Sequence, residues 1–181
     1  MFVKSLGTEG AELRPLEPWQ AEEFFAHMER GREFIGQHIG FADAAKDLES
    51  ARRLLQGYAD KAAADTGRIF GIWLDDKLVG GVLLRVMDVS QGMAEVGCWL
   101  EPAATGRGLI TRAARILIDW VIRERGMHRV EWRVSSKNAP SIAVAQRLGM
   151  TKDGVLRSNH PYRDVRQDLE VWSVLAPEWE S

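Results

Sequence analysis

The chain has 181 residues, of which 45% are hydrophobic and 28% charged, and its formal net charge is -2. These values describe one soluble globular domain, with residues 1–181 enough to bury a core, and they exclude both a basic field for tracking nucleic acid and a charged interaction tail. A single cysteine, Cys98, excludes an internal disulfide framework; the N-terminus lacks a long apolar stretch, and the most apolar run, Leu78 to Leu84, is too short for a bilayer, so the cytoplasm is the expected compartment.

Glu12 to Leu16 reads as a short strand, ended by Pro15 and Pro18, and Glu17 to Arg30 as a helix carrying Trp19, Phe24, Phe25 and Met28. Gly31 to Gly40 is a glycine-punctuated segment in which regular structure is not required. Asp47 to Ala64 sets Leu48, Ala51, Leu55 and Tyr58 on one helical face, with Gly67 expected to close it. Arg68 to Leu74 and Lys77 to Met87 form a hairpin about Asp75-Asp76, and Ala94 to Leu100 adds a strand.

The order then changes to helix Leu109 to Arg125, strand His128 to Val134, helix Pro140 to Leu148, and strands Met150 to Arg157 and Gln167 to Leu175. Pro161 marks an expected loop over Ser158 to Arg166. Strands joined through a helix run parallel as a right-handed βαβ unit, so Ala94 to Leu100 and His128 to Val134 should be parallel. Among the seven tryptophans, Trp120, Trp132 and Trp172 fall in regular elements and are expected to be core or half-buried, while Trp179 is placed to tie down the tail.

The stretch from Gly97 to Arg112 ends a strand, turns through Gly106-Arg107-Gly108 and opens a helix. Glycines there let successive N-H groups converge, and the first helical turn adds unpaired N-H groups and the positive end of its dipole. This makes an anion seat at the carboxyl end of a strand, with Arg107 and Arg112 adding charge. A bare strand-to-helix turn explains the stretch taken alone. No Gly-Lys-Ser/Thr ends the loop, so it is not a P-loop, and Thr111 stands where a dinucleotide fingerprint needs its third glycine. A second stretch, Val134 to Met150, holds Asn138 before Ala139-Pro140, the pattern of a helix N-cap.

Together the two stretches resemble the GNAT superfamily of acyl-CoA-dependent N-acetyltransferases, nearest to the RimJ/RimL type that modifies ribosomal-protein N-termini. The resemblance implies an α+β, three-layer GNAT fold: a mixed, mostly antiparallel sheet with a central parallel βαβ splay, flanked by helices. It implies acetyl-CoA as cosubstrate, its pyrophosphate on Thr105, Gly106, Arg107, Gly108, Leu109, Ile110 and Thr111. The pantetheine arm would lie in the splay along the backbone at Trp99 and Leu100, within reach of Asn138. By the same resemblance Phe34, Ile35, Ile39 and Phe41 belong to a lip over the acceptor, where ordinary core packing is the alternative.

The family implies a hydroxyl, Ser141, as proton donor to the departing thiolate, although a first-turn serine also bonds backbone. Many members use a tyrosine later in this helix, and Ala145 occupies that position here. Glu95 is the candidate base for the amine proton, with solvent-side charge as the alternative reading and Glu101 a weaker candidate. A covalent route through Cys98 is disfavoured, since no histidine is placed by sequence to activate it. His27, His38, His128 and His160 share no metal-ligand spacing, so no metal is expected. Ala103 departs from the Gln or Arg usual before the loop's first glycine, and Trp172 stands where the last strand usually has tyrosine.

The function implied is transfer of acetyl to a primary amine by direct attack in a ternary complex. The acceptor is a protein N-terminal α-amine or, alternatively, a small molecule such as a polyamine, antibiotic or amino acid; a non-catalytic acyl-CoA-binding sensor is the reading from another class. A ribosomal substrate would be met as protein, without direct contact to nucleic acid or membrane, and a homodimer is expected by analogy with the family.

Overall fold

Apolar side chains occupy both faces of the central strands, so helices must cover both sides of the sheet. The computed structural model describes residues 3–179. In chain order the elements are β1 (Lys4–Ser5), β2 (Ala11–Pro15), α1 (Ala21–Ile35), α2 (Phe41–Ala44), α3 (Leu48–Ala63), β3 (Arg68–Leu74), β4 (Lys77–Asp88) and β5 (Met93–Leu100). Then follow α4 (Leu109–Asp119), β6 (Arg129–Ser135), α5 (Ala139–Arg147), β7 (Thr151–Tyr162) and β8 (Val165–Leu175). One eight-stranded sheet runs β1-β2-β3-β4-β5-β6-β8-β7; β5 and β6 are parallel and the remaining neighbours antiparallel. This is the mixed sheet with a central parallel pair that the GNAT resemblance implies.

Each face has its own core. Leu13, Ile72, Val82, Leu84, Val96 and Val130 pack with Leu117 and Ile118 of α4 and Val144 of α5. Opposite them, Ile69, Leu78, Leu83 and Trp99 pack with Phe24 and Met28 of α1 and Leu55 of α3. Along β5 the alternation therefore sends Val96 to the α4/α5 face and Trp99 to the α1/α3 face.

Several boundaries differ from expectation for identifiable reasons. Helix α1 runs on through Gly31 to Ile35, because that glycine is a contact point: a Cβ there would lie 2.8 Å from Ile35 Cδ1 and 3.3 Å from Glu101 Cβ. Helix α3 is opened by a reciprocal cap, Ser50 N to Asp47 Oδ1 at 2.7 Å and Asp47 N to Ser50 Oγ at 3.1 Å. It ends before Asp65, which takes the left-handed conformation (φ 57°) expected of Gly67. Helix α4 keeps α geometry to Asp119 and continues as a π turn over Trp120–Glu124. The loop expected over Ser158 to Arg166 shrinks to Arg163-Asp164: Pro161 pairs with Arg166 inside β7, an edge strand whose register shifts between Leu156 and His160. Trp132, Trp172 and Trp179 are buried, and Trp179 Nε1 donates to Asp119 Oδ1 at 3.3 Å.

Candidate active site

The site begins where the parallel pair comes apart. Strands β5 and β6 are in register from Met93/Arg129 to Val96/Trp132, and no further. Beyond that point β5 keeps only β4 as partner, through Gly80/Leu100, and β6 only β8, through Ser135/Leu169. The facing backbone groups from Gly97 to Leu100 and from Arg133 to Ser135 are thus left without a strand between them. A cleft of about 540 Å³ opens there, lined by both strands, the Thr105 to Thr111 loop, the start of α5 and the end of α1.

One bank of the cleft is made mainly of main chain. Gly106 and Gly108 adopt φ of 77° and 71°, a region other residues enter at a cost, and Gly108 is the N-cap of α4. An ideal Cβ on Gly106 would meet nothing within 4 Å, so the backbone lies open to a ligand. Thr105, Gly106, Gly108, Leu109, Ile110 and Thr111 line the cleft; Arg107 does not. Arg112 is also absent from the lining, because its guanidinium turns to the Thr8 hydroxyl and to the Arg107 carbonyl at 3.3 Å. A cation that sequence reading passed over, Arg147 at the end of α5, stands in the cleft with Nε 3.5 Å from Thr111 Oγ1. These donors and the fork fit the acetyl-CoA cosubstrate: amides at the head of α4 for the pyrophosphate, free strand edges at Trp99 and Leu100 for the amides of the arm.

Asn138 caps α5, its Oδ1 accepting from Ser141 N at 3.2 Å. Ser141 faces the fork, and Trp132 Nε1 donates to its Oγ at 3.0 Å. Trp132 is the last residue of β6 paired to β5, so the indole spans the root of the fork. With its oxygen accepting from Trp132, the serine hydroxyl keeps its own proton to donate elsewhere. Cys98 also lines the cleft on this side, and burial pushes its thiol up to about 12, leaving it protonated near neutrality.

The other bank is made of side chains. Strand β4 bulges between Leu84 and Val86, leaving Arg85 as the residue without a β5 partner; alternation from Leu83 places it on the α1/α3 face. Its Nε lies 3.0 Å from Glu95 Oε1, and its Nη2 rests over Gly97 where a Cβ would be 2.8 Å away. Glu95 is a half-buried carboxylate whose partner Arg85 lines the cleft while Glu95 itself does not. At the lip, Phe34, Ile35, Gln37, His38 and Ile39 line the cleft, whereas Phe41 packs on Trp99 with ring centroids 4.8 Å apart. The Tyr162 hydroxyl, from the tip of the β7-β8 hairpin, bonds the Gly36 carbonyl and reaches the Ile39 carbonyl at 3.3 Å.

Beneath this bank runs a buried polar chain. Trp99 Nε1 donates to His27 Nε2 at 3.0 Å, which assigns the imidazole proton to Nδ1, 3.0 Å from Glu101 Oε2. Glu101 is 3% exposed and also faces Arg30 Nε at 3.3 Å and Lys77 Nζ at 3.8 Å. Burial pushes His27 down to about 4, against the pull of Glu101, so it is neutral near pH 7. Glu101, a weaker candidate base by sequence, is thereby committed to holding the end of β5. Among the described residues no cluster of metal-ligating side chains occurs, and no helix is long and apolar enough to cross a membrane.

Residues 11–151 match the acetyltransferase (GNAT) domain family. The chain is 31% identical over 170 residues to a probable N-acetyltransferase, YjcK, of Bacillus subtilis, covering 92% of this chain and 94% of that one. It is 21% identical over 166 residues to the ribosomal-protein-serine acetyltransferase of Escherichia coli, covering 92% and 93%. In fold it is similar to RimL, a ribosomal L7/L12 α-N-protein acetyltransferase solved in complex with coenzyme A, with a TM-score of 0.88, 17% identity and coverage of 93% and 95%. The chain belongs to the GNAT acetyltransferase family. It is an acetyl-CoA-dependent N-acetyltransferase.

Proposed function

We propose that the protein transfers acetyl from acetyl-CoA to the N-terminal α-amine of a protein, by direct attack in a ternary complex. The observation that carries this reading is the fork itself: a main-chain bank suited to the coenzyme and a side-chain bank open to an acceptor meet across unpaired edges of β5 and β6. Acetyl-CoA brings the activated acyl group. The residues orient it and handle two protons: one leaves the amine as the C-N bond forms, and one reaches the sulfur as the C-S bond breaks.

Glu95 is the base in this scheme; it stands behind Arg85 and just outside the cleft lining, so it takes the amine proton through a water. An α-amine with pKa near 8 is partly neutral at pH 7, so modest assistance suffices. Ser141 returns the other proton, its oxygen steadied by Trp132. A free thiol has pKa of about 8.5 and leaves readily, so this donor is worth a moderate factor. Backbone N-H groups near Trp99 and Leu100 hold the arm, and one aimed at the thioester carbonyl would contribute roughly 3 kcal/mol. The raised pKa of Cys98, with no histidine bonded to it among the described residues, favours direct attack over an acetyl-cysteine.

The test is release of free CoA thiol with a panel of peptides, small amines and drugs, run beside thermal unfolding with CoA. A catalyst and a mere acyl-CoA sensor both gain about 2.7 kcal/mol at a hundredfold excess over Kd. Thiol release with a peptide amine is the expected result; stabilisation by CoA with no thiol release from any amine would hand the protein to the sensor reading. Replacement E95Q should shift the pH-rate profile, and an unmoved profile removes Glu95 from the scheme.

A further inference from the structure

The acceptor bank carries a charge pattern that proton handling leaves unused. Arg85 and Arg133 reach the cleft from opposite strands and on the same sheet face. Arg85 lies over Gly97, and Arg133 sits between Trp132 and Val134, whose side chains belong to the α4/α5 core. Each guanidinium is tied from behind through Nε, Arg85 to Glu95 Oε1 at 3.0 Å and Arg133 to Glu131 Oε2 at 2.9 Å. Glu95 and Glu131 are register partners on the joined part of β5 and β6, and neither lines the cleft. The lining holds Arg85, Arg133, Arg147 and His38, and no carboxylate. Arg147 is on the opposite bank beside Thr111.

A guanidinium fixed at Nε presents its terminal N-H groups in a rigid fork that matches a carboxylate, and two such groups, from β4 and β6 on either side of β5, can form a clasp. We infer that the acceptor is an amine with a carboxylate close by, gripped by Arg85 and Arg133, and that a polycationic amine is turned away. This rests on the acetyl-transfer reading and narrows its substrate. The carboxylate can belong to a free amino acid or to an acidic side chain beside a peptide N-terminus; the chemistry recognised is the same.

The full chain, saturated with CoA or acetyl-CoA, is assayed for peptide binding by fluorescence anisotropy and for thiol release. The probes are three tetrapeptide amides alike except for Asp-Glu, Asn-Gln or Lys-Lys at the second and third positions, together with free serine against serinamide. The acidic member of at least one pair should exceed its neutral partner by about tenfold in kcat/KM, expressed in KM and shrinking with salt. R133Q should collapse that ratio and R133K restore part of it, thermal unfolding confirming that both variants fold. An advantage confined to free serine identifies an amino-acid acceptor, and one confined to the Asp-Glu peptide an acidic N-terminus. Equal values within both pairs, or a ratio that R133Q leaves intact, overturn the inference. Selective binding of the acidic peptide without thiol release from any probe sustains the clasp and overturns the transfer reading, so the two fail separately.

Discussion

The two banks of the cleft are built on different principles. On the α4/α5 side the ligand would meet backbone: left-handed Gly106 and Gly108, the head of α4, a capped α5, and strand edges left open beyond Val96 and Trp132. On the α1/α3 side it would meet side chains brought from far apart: the lip from Phe34 to Ile39, Arg85 on a bulge, Arg133 on β6, and Tyr162 holding the lip from the hairpin tip. Main-chain donors do not depend on side-chain identity, so Ala103 in place of a longer side chain should weaken the first bank's grip without removing it. The second changes with every substitution, and that is where an acceptor can be chosen.

If the banks are as separate as this, damage to one should spare the other, and the largest effect belongs under the acceptor side. H27L deprives Trp99 Nε1 of its acceptor and Glu101 of a donor, both buried, and should lower stability by about 3 kcal/mol in urea unfolding. The pH dependence follows from the same residue, which faces Glu101, Arg30 and Lys77. Its pKa is about 4 folded against about 6.5 unfolded, so the unfolded chain binds the extra proton in that interval. The stabilisation is complete above pH 6.5 and disappears as pH falls to 4, by about 3 kcal/mol in the wild type. H27L should lack that slope. A loss under about 1 kcal/mol would mean the chain of polar groups does not support the bank.

A smaller effect is expected at the root of the fork. S141A should lower kcat by about tenfold, or roughly 1.4 kcal/mol. W132F, which removes the hydrogen bond to Ser141, should lower kcat in the same direction by less and add little in the double variant. Full additivity in kcat would separate the indole from the hydroxyl. The smallest effect is expected at the loop. G106A places a Cβ at φ 77° and should cost about 1 kcal/mol of stability while weakening stabilisation by CoA, which calorimetry with and without the coenzyme measures. It should raise KM for acetyl-CoA rather than for the acceptor; the reverse would merge the two banks.

The main-chain bank was the legible one, because its signals are local. A glycine pair before a helix with a clean apolar face, and Asn138 before Ala139-Pro140, can be read within a few residues. So could the parallel β5-β6 pair, from the helix between them. The side-chain bank hides its parts. The bulge at Arg85 breaks an alternation only after its partner strand is known, and Arg147 reads as an ordinary last-turn cation. His27 looks like one more residue of an amphipathic helix until Trp99 and Glu101 arrive 72 and 74 residues later. Punctuation misled where tertiary contact overrode it: Gly31 did not end α1, and Pro161 did not end β7.

Tyr162 gives the fold one more property. By joining the carbonyls of Gly36 and Ile39 to the outermost strand, its hydroxyl makes the threshold of the acceptor chamber and the far margin of the sheet a single mechanical piece.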